Sequence, residues 1–220
     1  MTALNTLQAV LWDMDGVIVD TYAGHYLSWK QALEEVGQPY EEDVFRRIFG
    51  MNNRLILATI YGHEPEEEFI QKVSERKEVL FREDIKGKVQ PLPGVLDWLE
   101  RFKKMGLKQA VASSAPQANI DALLTELQIR HYFGAEAAGS NLKGKPDPAV
   151  FLLAAERLGV DPRHCLVIED SIAGVEAAKR AGCTCLAVLT TNQASELGKA
   201  DLILKDLSAL TIDHLKPLFA

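Results

Sequence analysis

Short apolar runs alternate with helix-like patterns along most of the 220-residue chain, and this alternation limits the possible folds more than any other feature. Apolar runs of this length between turn residues predict buried strands. Strands separated by helices pair in parallel, because the helices then cover both faces of the sheet. The predicted strands are 7–12, 107–112, 135–138, 164–168, 184–188 and 201–204. The predicted helices between them are 95–105, 116–127, 147–158 and 172–181. The expected fold class is therefore α/β with a parallel sheet.

Local signals mark where these helices begin and end. Asp147 precedes Pro148, which predicts a helix with Asp147 as its N-cap and proline at the first helical position. Gly106, Gly159 and Gly182 each follow a predicted helix at the position where a left-handed residue commonly ends it.

Residues 21–90 interrupt the alternation, since they contain helix patterns and almost no strand-like run. A long charged helix is predicted over 65–86, and Pro91-Leu92-Pro93-Gly94 then ends the segment. We expect two domains, a core made of 1–20 and 91–220 and an inserted α-helical cap over 21–90. A cap attached directly after the first strand can close over a site there and exclude water.

Composition narrows the classes of partner. The formal net charge is −7 and no block of lysine or arginine occurs, which argues against a nucleic-acid or anionic-membrane partner. No leader-like N-terminus and no apolar run long enough to span a bilayer is present, so we expect a cytoplasmic protein. We also expect a monomer. The three cysteines lie in apolar segments, which indicates buried thiols rather than a disulfide framework.

Polar side chains follow four of the predicted strands. Asp13 and Asp15 follow the first strand, and Ser113 and Ser114 follow the second. Ligands of open parallel sheets bind at the carboxyl ends of the strands. The sequence therefore predicts one crevice that holds carboxylates, a hydroxyl and an ammonium group. The later strands contribute Lys145, Glu169 and Asp170.

This set of groups suits phosphoryl transfer through a covalent aspartyl-phosphate. Carboxylate oxygens are ligands that Mg²⁺ prefers, and the cation would neutralise the repulsion between an attacking carboxylate and an anionic phosphate. A lysine and a serine would stabilise charge on the transferring oxygens. The other carboxylate could protonate the leaving group and later deprotonate the attacking water.

The spacing of these clusters resembles the haloacid dehalogenase superfamily, and specifically its β-phosphoglucomutase-like phosphatase branch. The resemblance covers essentially the whole chain and implies a Rossmann-like core with an inserted helical cap. It is carried by four segments in order, which are Asp13-Met14-Asp15-Gly16-Val17-Ile18-Val19-Asp20, Val111-Ala112-Ser113-Ser114, Gly144-Lys145-Pro146-Asp147-Pro148 and Ile168-Glu169-Asp170-Ser171.

Carried over residue by residue, the resemblance implies a role for each polar group. Asp13 is the expected nucleophile and Asp15 the expected general acid/base, and an acid at Asp15 favours phosphate chemistry over dehalogenation. Ser113, or Ser114 if the register slips by one residue, and Lys145 are expected to bind phosphate. The expected Mg²⁺ ligands are the Asp13 side chain, the Asp15 backbone carbonyl, Asp170 and Glu169, of which Glu169 could instead act through water.

Two assignments stay open at this point. His25 matches a histidine that members of this branch often have near the general acid, and it is a candidate substrate-binding residue, but it could also simply pack beside Tyr26 and Trp29. The cap decides between phosphatase and mutase. A β-phosphoglucomutase-type isomerase needs cationic cap residues for a second phosphate, and the matching positions here are Phe49 and Asn53. Arg54 lies one residue away from Asn53, and Lys77 is a candidate match to a further cationic cap position.

We therefore predict a Mg²⁺-dependent phosphatase whose partner is a small phosphorylated metabolite, with a sugar phosphate as the favoured class. A β-phosphoglucomutase-type mutase is the alternative. A phospho-acceptor or binding module without turnover is a second alternative, although such a module would need neither a cap nor an acid at Asp15.

Overall fold

The computed structural model describes residues 6–219, and within them a parallel sheet of six strands forms the centre. Its spatial order is β3-β2-β1-β4-β5-β6. The strand that carries Asp13 thus lies in the middle of the sheet, between β2 and β4. The strands are β1 (Ala9–Trp12), β2 (Lys108–Ser113), β3 (Ala135–Ala138), β4 (Cys165–Glu169), β5 (Thr184–Val188) and β6 (Leu202–Leu204).

Helices follow the strands as the alternation predicts. The first four are α1 (Tyr22–Glu34), α2 (Glu42–Ile48), α3 (Asn53–Tyr61) and α4 (Glu67–Asp84). The remaining five are α5 (Val95–Lys104), α6 (Gln117–Glu126), α7 (Ala149–Leu158), α8 (Ile172–Arg180) and α9 (Ile212–Leu215). The prediction of an α/β fold with a parallel sheet and a helical insertion after the first strand is confirmed.

Both faces of the sheet are buried, and they differ in side-chain size. On one face, large residues such as Trp12, Val111 and Ile168 form a core cluster with Trp98 and Phe102 of α5. The other face is rich in alanine and cysteine, which permits α7 and α8 to pack close to the strands. Cys165, Cys183 and Cys185 are buried there as free thiols, as predicted.

Helices α1 to α4 have an apolar cluster of their own, which includes Trp29, Leu33, Phe45 and Leu57. The two segments that join them to the sheet lie side by side. Val19 forms an antiparallel bridge with Pro91, and the Leu92 amide donates to the carbonyl of Ile18 over 2.9 Å. These contacts agree with a separate cap, and the boundaries at 20/21 and 90/91 stay a prediction.

One helix start differs from its prediction. Helix α7 begins at Ala149 rather than at residue 147, and its N-cap is Pro148. Asp147 still satisfies a free donor of the first turn, since its Oδ1 accepts from the Ala149 amide over 3.0 Å. The other predicted strands and helices of the core begin and end within one or two residues of their predicted bounds, and α9 was not predicted. Over the described part of the chain, no helix combines the length and apolarity needed to cross a bilayer.

Candidate active site

The predicted site residues lie at the carboxyl ends of neighbouring strands. Asp13 comes directly after β1, Ser113 ends β2 and Glu169 ends β4. Lys145 lies in the loop that joins β3 to α7. The central position of β1 brings groups from both sides of the sheet towards Asp13.

Lys145 is the buried link between two of the acids. Its side chain is 1% exposed, and its Nζ donates to Asp13 Oδ1 and to Glu169 Oε1. Burial acts to lower the pKa of this ammonium group, but the two carboxylates outweigh burial and hold the pKa above its usual value. Lys145 therefore stays charged at the point where phosphate oxygens would enter.

Three buried acids meet around this lysine. Oxygens of Asp13, Glu169 and Asp170 lie within 4.8 Å of one another. Burial, opposed by Lys145 and reinforced by Glu169 and Asp15, raises the pKa of Asp13 to about 8. Burial, Glu169 and Asp13 likewise raise the pKa of Asp170. One ammonium group does not balance three ionised carboxylates, and the raised pKa values of Asp13 and Asp170 reflect that imbalance. A cation would relieve it, and the hard oxygen donors suit Mg²⁺.

Two glycines make room for this cluster. Gly16 has a φ of +87°, and a Cβ atom there would lie 2.0 Å from Asp170 Oδ2. Gly174, in the first turn of α8, would place a Cβ atom 1.8 Å from Glu169 Oε1. Backbone approaches the acids this closely only because both positions lack a side chain.

Both carboxylate oxygens of Glu169 already accept hydrogen bonds within the protein, so Glu169 is less available to a metal ion than Asp170. Its Oε2 accepts from the amides of Asp170 and Ser171, both over 2.8 Å, while Oε1 accepts from Lys145. The Ser171 hydroxyl donates to Oε2 over 3.0 Å. These contacts favour a role for Glu169 in orienting Lys145 and the loop before α8, and leave Asp170 as the more available ligand.

Asp15 has a different environment from Asp13. Its Oδ1 accepts from the Thr21 hydroxyl over 2.6 Å and lies 3.1 Å from His25 Nε2. Burial acts to raise the pKa of Asp15, but His25 and Thr21 outweigh burial and hold the pKa below its usual value. Two acids whose environments shift their pKa values in opposite directions are typical of a pair with distinct chemical tasks.

His25 packs against an aromatic ring, as one of its two interpretations expects, and it also makes polar contacts within the protein. Its ring stacks on Phe81 with a centroid separation of 3.9 Å, and its Nδ1 lies 2.8 Å from Lys77 Nζ. An ammonium group can only donate, so Nδ1 accepts and Nε2 carries the proton that points to Asp15. A direct role for His25 in substrate binding stays a prediction.

The two adjacent serines face different neighbours. Ser113 is fully buried, and its Oγ accepts from the Ala115 amide over 3.1 Å. Ser114 lines the cavity between cap and core, and its hydroxyl donates to the Gly50 carbonyl of the cap over 2.8 Å. The phosphate-binding role of Ser113, and of Ser114 as its alternative, stays a prediction.

Sequence reasoning missed two polar residues beside Asp170. Thr191 donates to Asp170 Oδ2 over 2.5 Å, and Asn192 donates to the Asp170 carbonyl over 2.9 Å. Both follow β5, so the rule that located the other clusters at strand ends could have located these as well. Glu78, which accepts from Lys77 over 2.9 Å, was missed because nothing in a charged helix distinguishes it.

Comparisons with known proteins agree with this geometry. The family model described as "Hydrolase: haloacid dehalogenase-like hydrolase" matches residues 7–182. A phosphorylated carbohydrates phosphatase from Thermotoga maritima is 39% identical in an alignment 181 positions long, which covers 80% of this chain and 82% of that protein. A β-phosphoglucomutase from Bacillus subtilis is 34% identical in an alignment 222 positions long, which includes gaps and covers 95% of this chain and 94% of that protein.

Solved structures show the same architecture. A crystal structure of β-phosphoglucomutase from Clostridium difficile superposes with a TM-score of 0.86 at 26% identity, over 97% of both chains. The sheet with its helical insertion is thus the architecture of one enzyme family. This chain belongs to the haloacid dehalogenase-like hydrolase family, as a phosphoric monoester hydrolase.

Proposed function

We propose that the chain is a Mg²⁺-dependent phosphatase that hydrolyses a small phosphorylated sugar through an aspartyl-phosphate on Asp13. The contrast between Asp13 and Asp15 carries this proposal. Asp13 lies among acids and Lys145, which suits attack on phosphorus beside a cation. Asp15 has its Oδ1 fixed by Thr21 and His25, which leaves Oδ2 for proton exchange.

Mg²⁺ would be held by Asp13, Asp170 and the Asp15 backbone carbonyl, with Glu169 as the adjoining acid. The residues fit the cation, because three buried carboxylates share one ammonium group and the missing side chain at Gly16 lets Asp170 lie against the loop that follows β1. When bound, the cation would supply neutralisation of charge between the attacking carboxylate and the phosphate.

Each bond change and proton transfer of the proposed hydrolysis can be assigned to side chains of this protein. A bound anionic phosphate opposes the ionised form of Asp15 and raises its pKa, so Asp15 takes up a proton on Oδ2 as the substrate binds. A carboxylate oxygen of Asp13 attacks phosphorus, the bond from phosphorus to the ester oxygen breaks, and Asp15 gives that proton to the ester oxygen. Lys145 and Ser113 stabilise charge on the transferring oxygens. Water then attacks the aspartyl-phosphate while Asp15 takes its proton, and Asp13 and inorganic phosphate are restored.

The cavity between cap and core supports a small polar substrate. In this arrangement it leaves about 30 Å³ free, room for one or two water molecules, so the cap must move to admit a metabolite. Its cap wall combines apolar and polar side chains, as a sugar ring with hydroxyl groups requires. The wall contains Trp29, Phe45, Phe49, Met51, Asn53, Ile56, Lys77 and Glu78.

The charges of that wall favour hydrolysis over the mutase alternative. Arg54 does not line this cavity, and its side chain is 42% exposed and pairs with Glu64 and Glu67. Lys77 does line the cavity, but Glu78 lies beside it and accepts from both Lys77 and Asn53. Lys77, Asn53 and His25 hold the pKa of Glu78 below its usual value, although burial opposes them. A second phosphate would therefore meet a carboxylate as well as an ammonium group.

A panel of phosphorylated sugars and other metabolites with Mg²⁺ tests the proposal. We expect phosphate release by the native chain, and a loss of about 10⁴-fold or more in kcat for Asp13→Asn with the fold retained. We expect Asp15→Asn to accumulate phosphoenzyme. Full activity of Asp13→Asn would contradict the aspartyl-phosphate.

A second assay separates the two activities of the branch. The native chain is incubated with β-glucose 1-phosphate and a catalytic amount of the 1,6-bisphosphate. Free phosphate as the main product supports the phosphatase. Formation of glucose 6-phosphate at a higher rate would show the mutase instead.

A further inference from the structure

The core residue Asn119 is held by two side chains of the cap. It lies in the first turn of α6 and is fully buried. Its Oδ1 accepts from Arg82 Nη1 over 2.9 Å, and its Nδ2 donates to Glu78 Oε2 over 2.5 Å. Both partners belong to α4, so this amide is fixed from two directions only while α4 is docked on α6.

Helix α4 connects that contact to the acid/base. Lys77 and Phe81 are four residues apart, and so are Glu78 and Arg82, which makes two adjacent rows on one face of the helix. The first row holds His25, through the hydrogen bond from Lys77 and the stacked ring of Phe81. The second row holds Asn119. A shift of α4 relative to α6 must therefore also shift the partners of His25.

A continuous set of buried hydrogen bonds results. It runs from Asn119 to Glu78 Oε2, from Glu78 Oε1 to Lys77 over 2.9 Å, from Lys77 to His25 over 2.8 Å, and from His25 to Asp15 over 3.1 Å. Asn53 adds a donor to Glu78 Oε1 over 2.8 Å. Lys77 and Glu78 are 2% and 5% exposed, so water does not substitute easily for these partners.

We propose that Asn119 is a positioning residue, which orients Asp15 for proton donation by anchoring Glu78, and through it Lys77 and His25, when the cap closes. Asn119 itself touches neither the acids nor the phosphate-binding groups. The proposal rests on the proposed function, because it assigns Asp15 as the acid that protonates the leaving group. Its consequence is that the acid is set in place only in the closed state, when water is excluded.

Two substrates of nearly equal shape isolate that proton. 4-Nitrophenyl phosphate releases a stable phenolate that needs no proton, whereas 4-nitrobenzyl phosphate releases an alkoxide that does. The value of kcat/KM covers every step up to departure of the leaving group, so it reports acid catalysis without the later attack of water. We expect Asp15→Asn to reduce kcat/KM far more for the benzyl ester than for the phenyl ester.

Asn119→Asp is the main variant, since it keeps the shape but sets a carboxylate against Glu78. We expect kcat/KM for the benzyl ester to fall about tenfold more than for the phenyl ester, because a displaced acid loses part of its effect. The double variant Glu78→Gln/Asn119→Asp exchanges the two groups. The amide at position 78 can then donate to the carboxylate at position 119. We expect the double variant to recover at least half of the loss in the ratio of kcat/KM for the benzyl ester to kcat/KM for the phenyl ester.

Asn52→Ser is the matched control in the same interface. Asn52 of the cap donates to the Leu142 carbonyl over 3.0 Å and also caps α3 through its side-chain oxygen, and serine can keep the cap. We expect Asn52→Ser to change both esters by the same factor. Equal losses on the two esters for a folded Asn119→Asp, or no recovery in the double variant, would overturn the proposal.

The outcomes also separate this proposal from the proposed function. If the native chain hydrolyses neither ester nor any metabolite, the proposed function fails. If the native chain is active and Asp15→Asn shows the selective loss while Asn119→Asp does not, the positioning role of Asn119 alone is wrong.

Discussion

Two buried lysines, one in the core and one in the cap, differ in the balance of charge around them. Lys145 is 1% exposed and joins Asp13 to Glu169 in a group where negative charge exceeds positive. Lys77 is 2% exposed and joins His25 to Glu78, where one ammonium group meets one carboxylate. The core site thus has charge left for a cation, while the cap site is balanced and has none left for a second phosphate.

This difference suggests a division of roles, with the reaction steps in the core and the choice of substrate in the cap. Groups around Lys145 come from strand ends and are held by the sheet whether or not the cap moves. Groups around Lys77 come from α1 and α4 of the cap and meet the core through Asp15 and Asn119. We therefore expect changes at the groups around Lys145 to reduce turnover of every ester strongly, and changes at the groups around Lys77 to alter which ester is used and how well.

Replacement of each lysine by methionine should give the largest contrast. We expect Lys145→Met to lower kcat/KM by about 10² to 10³-fold on every ester, because a donor to the transferring phosphate is removed. We expect Lys77→Met to lower it about tenfold, since Lys77 acts through His25. Steady-state kinetics on the two nitro-substituted esters measures both losses.

Stability provides the control for that pair. Each variant leaves a buried carboxylate without its ammonium partner, so each should lose about 3 kcal/mol in the free energy of unfolding, measured with urea. Similar losses in the free energy of unfolding, together with unequal losses in kcat/KM, would support different roles for Lys145 and Lys77. Equal kinetic losses for the two variants would show that the lysines do not differ in function.

Alanine at two glycines should give a smaller effect that is confined to the acid cluster. Gly16 and Gly106 have φ values of +87° and +76°, so alanine costs each about 1 to 2 kcal/mol in stability. A Cβ atom at Gly16 would collide with Asp170, whereas nothing lies within 4 Å of one at Gly106. We expect only Gly16→Ala to lose the rise in melting temperature that Mg²⁺ causes. The same loss in Gly106→Ala would refute this explanation.

The pH dependence of Mg²⁺ stabilisation should give the smallest effect, a shift of a few degrees. The pKa of Asp13 is about 8 in the fold, against 3.8 for an unperturbed aspartic acid, so the folded state binds more protons between these limits. Stability from this group is complete at low pH and is lost as the pH rises through about 8. Mg²⁺ binds the deprotonated acids and offsets that loss.

Thermal unfolding with and without Mg²⁺ at about pH 5 and about pH 8 measures this effect. The cation should raise the melting temperature more at the higher pH. Asp13→Asn should remove much of the difference between the two conditions. A rise of the same size at both pH values would contradict a cation site at these carboxylates.

The two lysines also explain what the sequence could predict. Lys145 follows a strand and lies in Gly-Lys-Pro-Asp-Pro, so a local pattern identifies it. The family resemblance offers Lys77 as a cationic cap residue, but no local pattern in the charged helix α4 distinguishes it from a solvated lysine until tertiary contacts bury it. Its role depends on Asn119, a residue distant in sequence, and no local pattern reports such a contact. Strand ends were therefore predictable, and the cap-to-core hydrogen bonds were not.

The paired linkers have a consequence for how such chains can diversify. Because Val19 and Pro91 are bridged, the chain leaves the sheet and returns to it at neighbouring points. For the sheet, everything between them is a loop whose ends are already joined, and the entropy of closing a loop grows only slowly with its length. The segment that surrounds the substrate can therefore be lengthened, shortened or exchanged, while the residues that break the phosphoester keep their places.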